Sequence, residues 1–166
     1  MHASHRLLRH AVTDHLAVRR AFPASALARV EQAIANGERR HSGQVCVALE
    51  AALPPLRVLR RLTPRERALE VFGLLRVWDT EDNAGVLIYV LLADRDVEIV
   101  ADRGIDRKVG AAAWQAICAQ MERAFRERRY ADAVVQGVDE VSALLAQHFP
   151  HTAATRNELS DKPFVL

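Results

Sequence analysis

The spacing of apolar and polar positions changes several times along the chain, and each spacing predicts one kind of element. Residues 43–50 (GQVCVALE) alternate valine and leucine with small or polar residues, which is typical of a β-strand. Residues 86–93 (VLIYVLLA) are apolar throughout, which indicates a central strand covered on both faces. The turn-like segment 93–96 (ADRD) and the strand-like segment 97–102 (VEIVAD) follow, so we predict a hairpin.

Helical spacings surround these strands. Apolar residues recur every three or four positions in segments 5–19 and 23–36, which predicts two amphipathic helices. Thr63-Pro64-Arg65-Glu66 has the pattern of a capping box and predicts the start of a third helix. Two longer helices are predicted after residue 107. The apolar residues expected on the inner faces of the last three helices are Leu69, Phe72 and Leu75, then Trp114, Ile117, Cys118, Met121 and Phe125, then Val134, Val138, Val141 and Leu145.

The order of elements predicts the architecture. A strand, a helix and a second strand imply a right-handed parallel crossover, and the hairpin adds an antiparallel third strand. With four or five helices to cover this sheet, we predict a three-layer α/β/α sandwich around a small mixed β-sheet. The predicted units are N-terminal helices over residues 1–37, an α/β domain over 38–150 and an irregular tail over 151–166.

This topology brings three polar segments to one edge of the sheet. Two parallel strands begin at the same edge, and an antiparallel third strand ends there. Segments 41–43 (HSG), 79–83 (DTEDN) and 101–106 (ADRGID) are therefore expected to meet. The acidic and amide side chains that they carry are Asp79, Glu81, Asp82, Asn83, Asp102 and Asp106.

Two interpretations of this acidic edge stay open. Calcium takes six to eight oxygen ligands, and loops at a sheet edge can supply them. The full EF-hand pattern fails, because Ala84 and Val90 stand where a glycine and a glutamate are needed, so any ion would lie between loops. In the alternative, nearby arginines pair with the acids, Asp106 caps a helix, and Asp79 or Asn83 shapes a turn. The arginines concerned are Arg76, Arg103 and Arg107.

His41 precedes the first strand at the same edge, where it is a candidate general base or metal ligand; a histidine there also often caps a turn. No nucleophile elbow, phosphate-binding glycine loop or zinc-protease motif occurs in the sequence.

Composition narrows the classes of function. A net charge of +2 and 5% aromatic residues argue against a nucleic-acid-binding protein. The longest apolar run, residues 86–93, is far shorter than the ~20 residues of a membrane helix. The basic N-terminal segment lacks the apolar stretch of a signal peptide, and both cysteines lie in apolar segments, so we expect a cytoplasmic protein with reduced thiols.

The segments HSGQVCVALEAAL, NAGVLIYVLLADRDVEIVADRGI and FRERRYADAVVQGVDEV together resemble the TPM domain family over about residues 38–150. The resemblance implies an α/β/α fold, calcium binding through acidic loop residues in some members and acid phosphatase activity in some plant relatives. Asp79, Asp82, Asn83 and Asp102 match its acidic positions, and Glu81 and Asp106 match less well. The chain departs from the family at Asp106 and in the segment DRKVG.

Three functions follow as hypotheses. The chain is a binding module whose acidic edge holds calcium or a basic partner, or it is a metal-dependent phosphatase acting on phosphomonoesters. In the phosphatase, Arg103 and Arg107 would receive the anionic substrate. In the third hypothesis, the chain is a structural partner of membrane-bound relatives and uses its exposed helical surfaces.

Overall fold

A computed structural model of the protein describes residues 3–152 and 156–166, and its four β-strands form one sheet. Residues 1–2 and 153–155, parts of the predicted N-terminal unit and tail, lie outside the described residues. The strands are β1 (Gln44–Glu50), β2 (Gly85–Leu91), β3 (Asp96–Ala101) and β4 (Phe164–Val165), and they lie side by side in the order β3-β2-β1-β4. β2 and β4 run parallel to β1, whereas β3 runs antiparallel to β2. The predicted mixed sheet and hairpin are confirmed.

Helices cover both faces of this sheet and confirm the predicted three-layer sandwich. Along β1, Val45, Val47 and Leu49 face one helical layer, while Cys46 and Ala48 face the other. The first layer consists mainly of α3, α7 and α8, and the second mainly of α4 and α5. The helices are α1 (Ala3–Val12), α2 (His15–Ala21), α3 (Ala24–Glu38), α4 (Pro55–Leu59), α5 (Pro64–Leu74), α6 (Arg103–Val109), α7 (Ala111–Arg126) and α8 (Tyr130–His148).

The first predicted helix, over residues 5–19, is two helices. Asp14 ends the regular pattern because its carboxylate accepts a hydrogen bond from the amide of Ala17 at 3.0 Å and caps α2. The apolar spacing continues across this break, so periodicity alone did not reveal it. α1 is fixed to the turn after β2 by Asp94, whose carboxylate contacts Arg6 at 2.8 Å and Arg9 at 2.7 Å.

The capping box at the start of α5 is confirmed, but the inner face of this helix is partly rotated from the predicted one: Phe72 and Leu75 are only partly buried against the core. Ala68 and Val71 are buried, while Leu69 is 50% exposed. Arg67 explains the rotation, because its guanidinium donates to both carboxylate oxygens of Glu50 at 2.9 and 3.1 Å. Glu50 is buried and also accepts a hydrogen bond from the hydroxyl of Tyr89 at 2.6 Å.

The inner faces of the two long helices follow the prediction. Trp114, Ile117, Met121 and Phe125 of α7 are buried, and Cys118 is partly buried. All four predicted residues of α8 are buried as well.

The C-terminal segment returns to the sheet, although the sequence predicted an irregular tail. Phe164 and Val165 pair with Ala48 and Leu49 of β1, and the amide of Leu166 donates to the carbonyl oxygen of Leu49 at 2.9 Å. A two-residue strand is too short to produce a recognisable alternation. β4 covers the edge of β1 that β2 leaves open.

Candidate binding site at the amino ends of β1 and β2

Three segments meet at one edge of the sheet, which we call the amino rim (residues 41–43, 79–83 and 101–106). Gln44 pairs with Gly85 and Val86 pairs with Ala101, so β1 and β2 begin where β3 ends. The hydroxyl of Ser42 donates to the carboxylate of Asp82 at 2.6 Å, and the amide of Gly104 donates to the carbonyl oxygen of Asn83 at 2.9 Å. The predicted convergence of these segments is therefore confirmed.

The rim loop (residues 79–83) is ordered by hydrogen bonds of its own. The hydroxyl of Thr80 accepts from the amide of Ala84 at 3.1 Å, and the carbonyl oxygen of Thr80 accepts from the amide of Asn83 at 3.2 Å. Asn83 has a φ of 51°, a left-handed conformation that asparagine tolerates better than most residues. The loop thus presents its side chains from a defined backbone.

Gly104 allows the first turn of α6 to lie directly against the rim loop. A Cβ atom at this position would come within 2.5 Å of the carbonyl oxygen of Asn83 and 2.8 Å of that of Asp82. Two backbone oxygens therefore lie close to the start of α6, beside the acidic side chains of the loop.

Asp102 is the most deeply buried acid of the rim, at 6% exposed. One of its carboxylate oxygens, Oδ1, accepts a hydrogen bond from the amide of Arg103 at 2.7 Å and caps α6. The other, Oδ2, is buried and has no hydrogen-bond partner among the described residues. A buried carboxylate oxygen without a partner is costly, and a cation or an ordered water would remove that cost.

A depression of about 580 Å³ adjoins Asp102. Asp79, Asn83 and Arg103 line it on the polar side. Leu69 and Trp78, each about half exposed, line it on the apolar side. Asp102 and the rim loop therefore face a shared opening to solvent.

The other predicted acids have different surroundings. Asp79 forms an ion pair with Arg76, as the alternative interpretation predicted, and Glu81 is exposed. Asp106 lies apart, because its carboxylate accepts a hydrogen bond from the indole nitrogen of Trp114 at 3.0 Å. It does not cap a helix beginning at Arg107; α6 begins at Arg103 behind Asp102.

Whether the amino rim can bind calcium depends on how many oxygen ligands it offers and of which kinds. Over residues 3–152 and 156–166, no group of three or more acidic, histidine or cysteine side chains is arranged to hold a metal ion. Side-chain carboxylates alone therefore do not form a metal centre here. Calcium also accepts amide, carbonyl and water oxygens. Oxygens of these kinds occur along the rim: Asp102 and Asn83 line the first depression, and the carbonyl oxygens of Asp82 and Asn83 lie beside Gly104.

A second depression, of about 390 Å³, lies beside the rim loop and is basic. Asp82 and Asn83 line one side of it, and Arg103, Arg107 and Lys108 line the other. Arg103 and Arg107 are exposed and form no ion pair with any described residue. The ammonium group of Lys108 lies 4.1 Å from the centre of the Phe149 ring. The amino rim thus combines acidic and basic groups.

His41, the first residue of the rim, is completely buried. Its Nδ1 donates to the carbonyl oxygen of Gly43 at 2.9 Å, which leaves Nε2 as the unprotonated nitrogen. Burial lowers the pKa of His41 to about 4, so the ring is neutral at pH 7. Nε2 lies near Gly37 of α3 and has no hydrogen-bond partner in the described part of the chain.

Sequence reasoning missed two residues at the rim, Gln44 and Glu158. The side-chain oxygen of Gln44 accepts from the amides of Glu158 at 2.8 Å and Leu159 at 3.1 Å, which draws the tail to the rim. The carboxylate of Glu158 then accepts from the amide of Glu81 at 3.1 Å. A buried glutamine at the start of an apolar strand was the available clue.

Fold and site together define a class of protein: an α/β/α sandwich whose polar loops converge at the amino ends of its parallel strands. A profile of the TPM domain matches residues 19–144, more than half of the chain, so the chain belongs to the TPM domain family. The resemblance seen in the sequence is confirmed. No helix in the described segments is long and apolar enough to cross a membrane.

A solved structure has a similar fold. The NMR structure of BA42 protein from the psychrophilic bacterium Bizionia argentinensis sp. nov. shares 26% sequence identity with the chain at a TM-score of 0.77. The alignment covers 87% of this chain and 95% of BA42. A comparison with curated proteins finds no match.

Proposed function

We propose that this TPM domain is a binding module that holds a calcium ion at its amino rim, between Asp102 and the rim loop. The observation that carries the proposal is the buried Oδ2 of Asp102, which has no partner in the described structure. Asp102 is the N-cap of α6, so its carboxylate is held in place before any ion binds. Bound calcium would offset the negative charge of Asp82 and Asp102 and fix the loop against α6.

The ligands of the proposed site come from both sides of the opening. Asp102 would supply Oδ2, and Asp82 would supply the oxygen that does not accept from Ser42. Asn83 and the carbonyl groups next to Gly104 would add neutral oxygens, and water would complete the shell. Asp79, Glu81 and Asp106 are not ligands in this proposal. Asp79 pairs with Arg76, Asp106 accepts a hydrogen bond from Trp114, and Glu81 lines neither depression at the rim.

The test measures the melting temperature of the protein with and without calcium. A ligand at 100 times its Kd stabilises the folded state by about 2.7 kcal/mol. For a chain of this size that corresponds to a rise of roughly 5–10 °C. Asp102→Asn is the decisive variant, since asparagine caps a helix as well as aspartate does but replaces the proposed ligand oxygen with an NH2 group, which cannot bind a cation. We expect it to abolish the calcium-dependent rise, and Asp82→Ala to reduce it.

Asp139→Asn is the matched control. Asp139 is an exposed acid of α8, remote from the rim in the sequence, and its variant should keep the full response. Wild-type protein that melts at the same temperature in EDTA and in millimolar calcium would overturn the proposal. An undiminished response in Asp102→Asn would do the same.

A metal-dependent phosphatase acting on phosphomonoesters is the second candidate function. It is favoured by the basic depression beside the rim loop, where Arg103 and Arg107 have no acidic partner in the described chain. These guanidinium groups would bind the phosphoryl oxygens, and the ion would supply charge stabilisation. We expect metal-dependent turnover of p-nitrophenyl phosphate, a raised KM in Arg103→Gln/Arg107→Gln and no turnover in Asp102→Asn. Equal turnover in all three proteins would exclude this site.

We also propose that the protein is located in the cytoplasm. Both cysteines, Cys46 and Cys118, are free thiols, and burial raises the pKa of each to about 12. Two cysteines that form no disulfide are typical of proteins in a reducing compartment. Separation of cell fractions followed by immunodetection is the direct test, and recovery in the extracellular or membrane fraction would contradict it.

A further inference from the structure

A third opening lies near the opposite ends of β1 and β2, and we call it the arginine cleft. Its volume is about 600 Å³, within the usual range of small-molecule sites. Leu92 and Ala93, which directly follow β2, line it together with residues of α1, α2 and the start of α8. The four arginines that give the cleft its name are Arg9, Arg20, Arg95 and Arg128.

Among the residues that the structure describes, no carboxylate lines the arginine cleft. Arg20, Arg95 and Arg128 are exposed and form no ion pair with any residue that the structure describes. These three residues come from α2, the β2–β3 turn and the α7–α8 turn, so the fold gathers charges that are distant in sequence. Guanidinium groups gathered around an opening repel one another, and a bound anion would offset that repulsion.

Two acids that adjoin the lining residues in sequence, Asp94 and Asp14, already have partners. Asp94 contacts Arg9 at 2.7 Å, Arg6 at 2.8 Å and Nε2 of His10 at 3.2 Å. The Nε of Arg9 is buried and has no hydrogen-bond partner within the described residues. Asp14 is used as the cap of α2. The described lining therefore carries positive charge only, and it includes one buried donor without an acceptor.

We propose that the arginine cleft binds a phosphate-bearing anion. The fork of N–H groups on arginine matches phosphate oxygens in pairs, and several arginines suit a group with more than one negative charge. The apolar and aromatic part of the lining, which includes Val12, Leu92 and Tyr130, suits an organic phosphate with a carbon skeleton. This site is separate from the amino rim and does not depend on the function proposed there.

The phosphate group can belong to a soluble ester or to a lipid. Leu8, Val12 and Leu16, which are 62%, 71% and 51% exposed, belong to α1 and α2, the helices that contribute to the cleft. Apolar side chains beside arginines are also the pattern of a helix that lies on an anionic membrane surface. The experiment therefore has one arm for each source.

The first arm titrates the protein with glucose 6-phosphate by isothermal calorimetry. The second measures sedimentation with phosphatidylcholine vesicles that contain 30% phosphatidylglycerol, and with vesicles of phosphatidylcholine alone as the reference. The test variant is Arg20→Gln/Arg128→Gln, which removes two charges from exposed positions. Its matched control is Arg60→Gln/Arg123→Gln, which removes two exposed charges elsewhere. Circular dichroism checks that both variants keep the wild-type fold.

We expect wild-type protein to bind at least one of the two probes, and the test variant to bind it at least tenfold more weakly. The control variant should bind as the wild type does. Binding of the ester identifies a soluble source, and binding of the anionic vesicles alone identifies a lipid headgroup. The proposal is overturned if neither probe binds, or if the control variant loses as much affinity as the test variant.

Discussion

Gly104 decides how closely α6 approaches the rim loop. The contact is between backbones, so no side chain can move aside to make room for a methyl group at this position. Gly73, inside α5, is the natural comparison, because a Cβ atom there would meet nothing within 4 Å. The same substitution at these two glycines therefore has opposite consequences.

We expect Gly104→Ala to destabilise the protein by about 1–3 kcal/mol, the usual cost of forcing atoms into a filled site. Gly73→Ala should stabilise it by roughly 0.5–1 kcal/mol, since alanine loses less backbone entropy in a helix. Urea denaturation measures both changes. Equal stability of Gly104→Ala and wild type would show that the rim loop moves away freely, which would also weaken the case for a preformed calcium site.

At the scale of elements, one side chain attaches the tail to the sheet. Gln44 is buried and makes three hydrogen bonds to the tail backbone: two from the amides of Glu158 and Leu159, and one to the carbonyl oxygen of Arg156 at 3.1 Å. A residue without these groups leaves three backbone partners unsatisfied in a partly buried position.

Gln44→Leu is expected to release the tail, because leucine has a similar size and none of the hydrogen bonds. Amide hydrogen exchange should speed up at residues 158–166, and at Glu81, whose amide bonds to Glu158. Gln136→Leu, an exposed change in α8, should leave exchange of the tail unchanged. Unaltered protection of the tail in Gln44→Leu would show that β4 holds it without help.

The elements that the sequence predicted best have a strong local pattern. The strand at residues 86–93 is apolar throughout, and α7 and α8 carry long helical rows of apolar residues. Elements set by one polar contact were harder to predict. The break between α1 and α2 depends on Asp14, and the rotation of α5 depends on the pairing of Arg67 with Glu50.

At the scale of the whole molecule, stability depends on pH through Glu38. Burial, with a smaller contribution from nearby Asp161, raises the pKa of Glu38 from its ordinary value of 4.5 to about 8. The folded protein therefore keeps a proton that the unfolded chain releases above pH 4.5. The stability contributed by the protonated form is complete below pH 4.5 and is lost as pH rises toward 8.

Glu38→Gln should remove this pH dependence, because glutamine resembles the protonated acid and can still accept from the amide of Val45. We expect the variant to be more stable than wild type by roughly 1–2 kcal/mol at pH 8.5, allowing for the partial exposure of Glu38. The two proteins should be equally stable at pH 4.5. Thermal unfolding across this range tests the prediction, and a parallel decline in both proteins would contradict it.

The amino rim could be predicted from chain direction alone, since parallel strands must begin at a common edge. Its finer structure could not. The partners of Asp106 and Asp79 depend on side-chain packing with Trp114 and Arg76. The arginine cleft joins positions from Arg9 to Arg128, and no local pattern in the sequence connects them.

The pairing of Arg67 with Glu50 has a practical consequence for the surface beside the rim. A rotation of α5 that buried Leu69 would separate the guanidinium of Arg67 from Glu50. The buried carboxylate of Glu50 would then lack its ion-pair partner. The orientation of α5 is thereby fixed, and the apolar side chains of Leu69 and Trp78 stay exposed to water. To lower the tendency of this surface to aggregate, these side chains themselves have to be replaced. We expect Leu69→Gln to keep the stability of the protein, because Arg67 and Glu50 hold α5 in its present orientation.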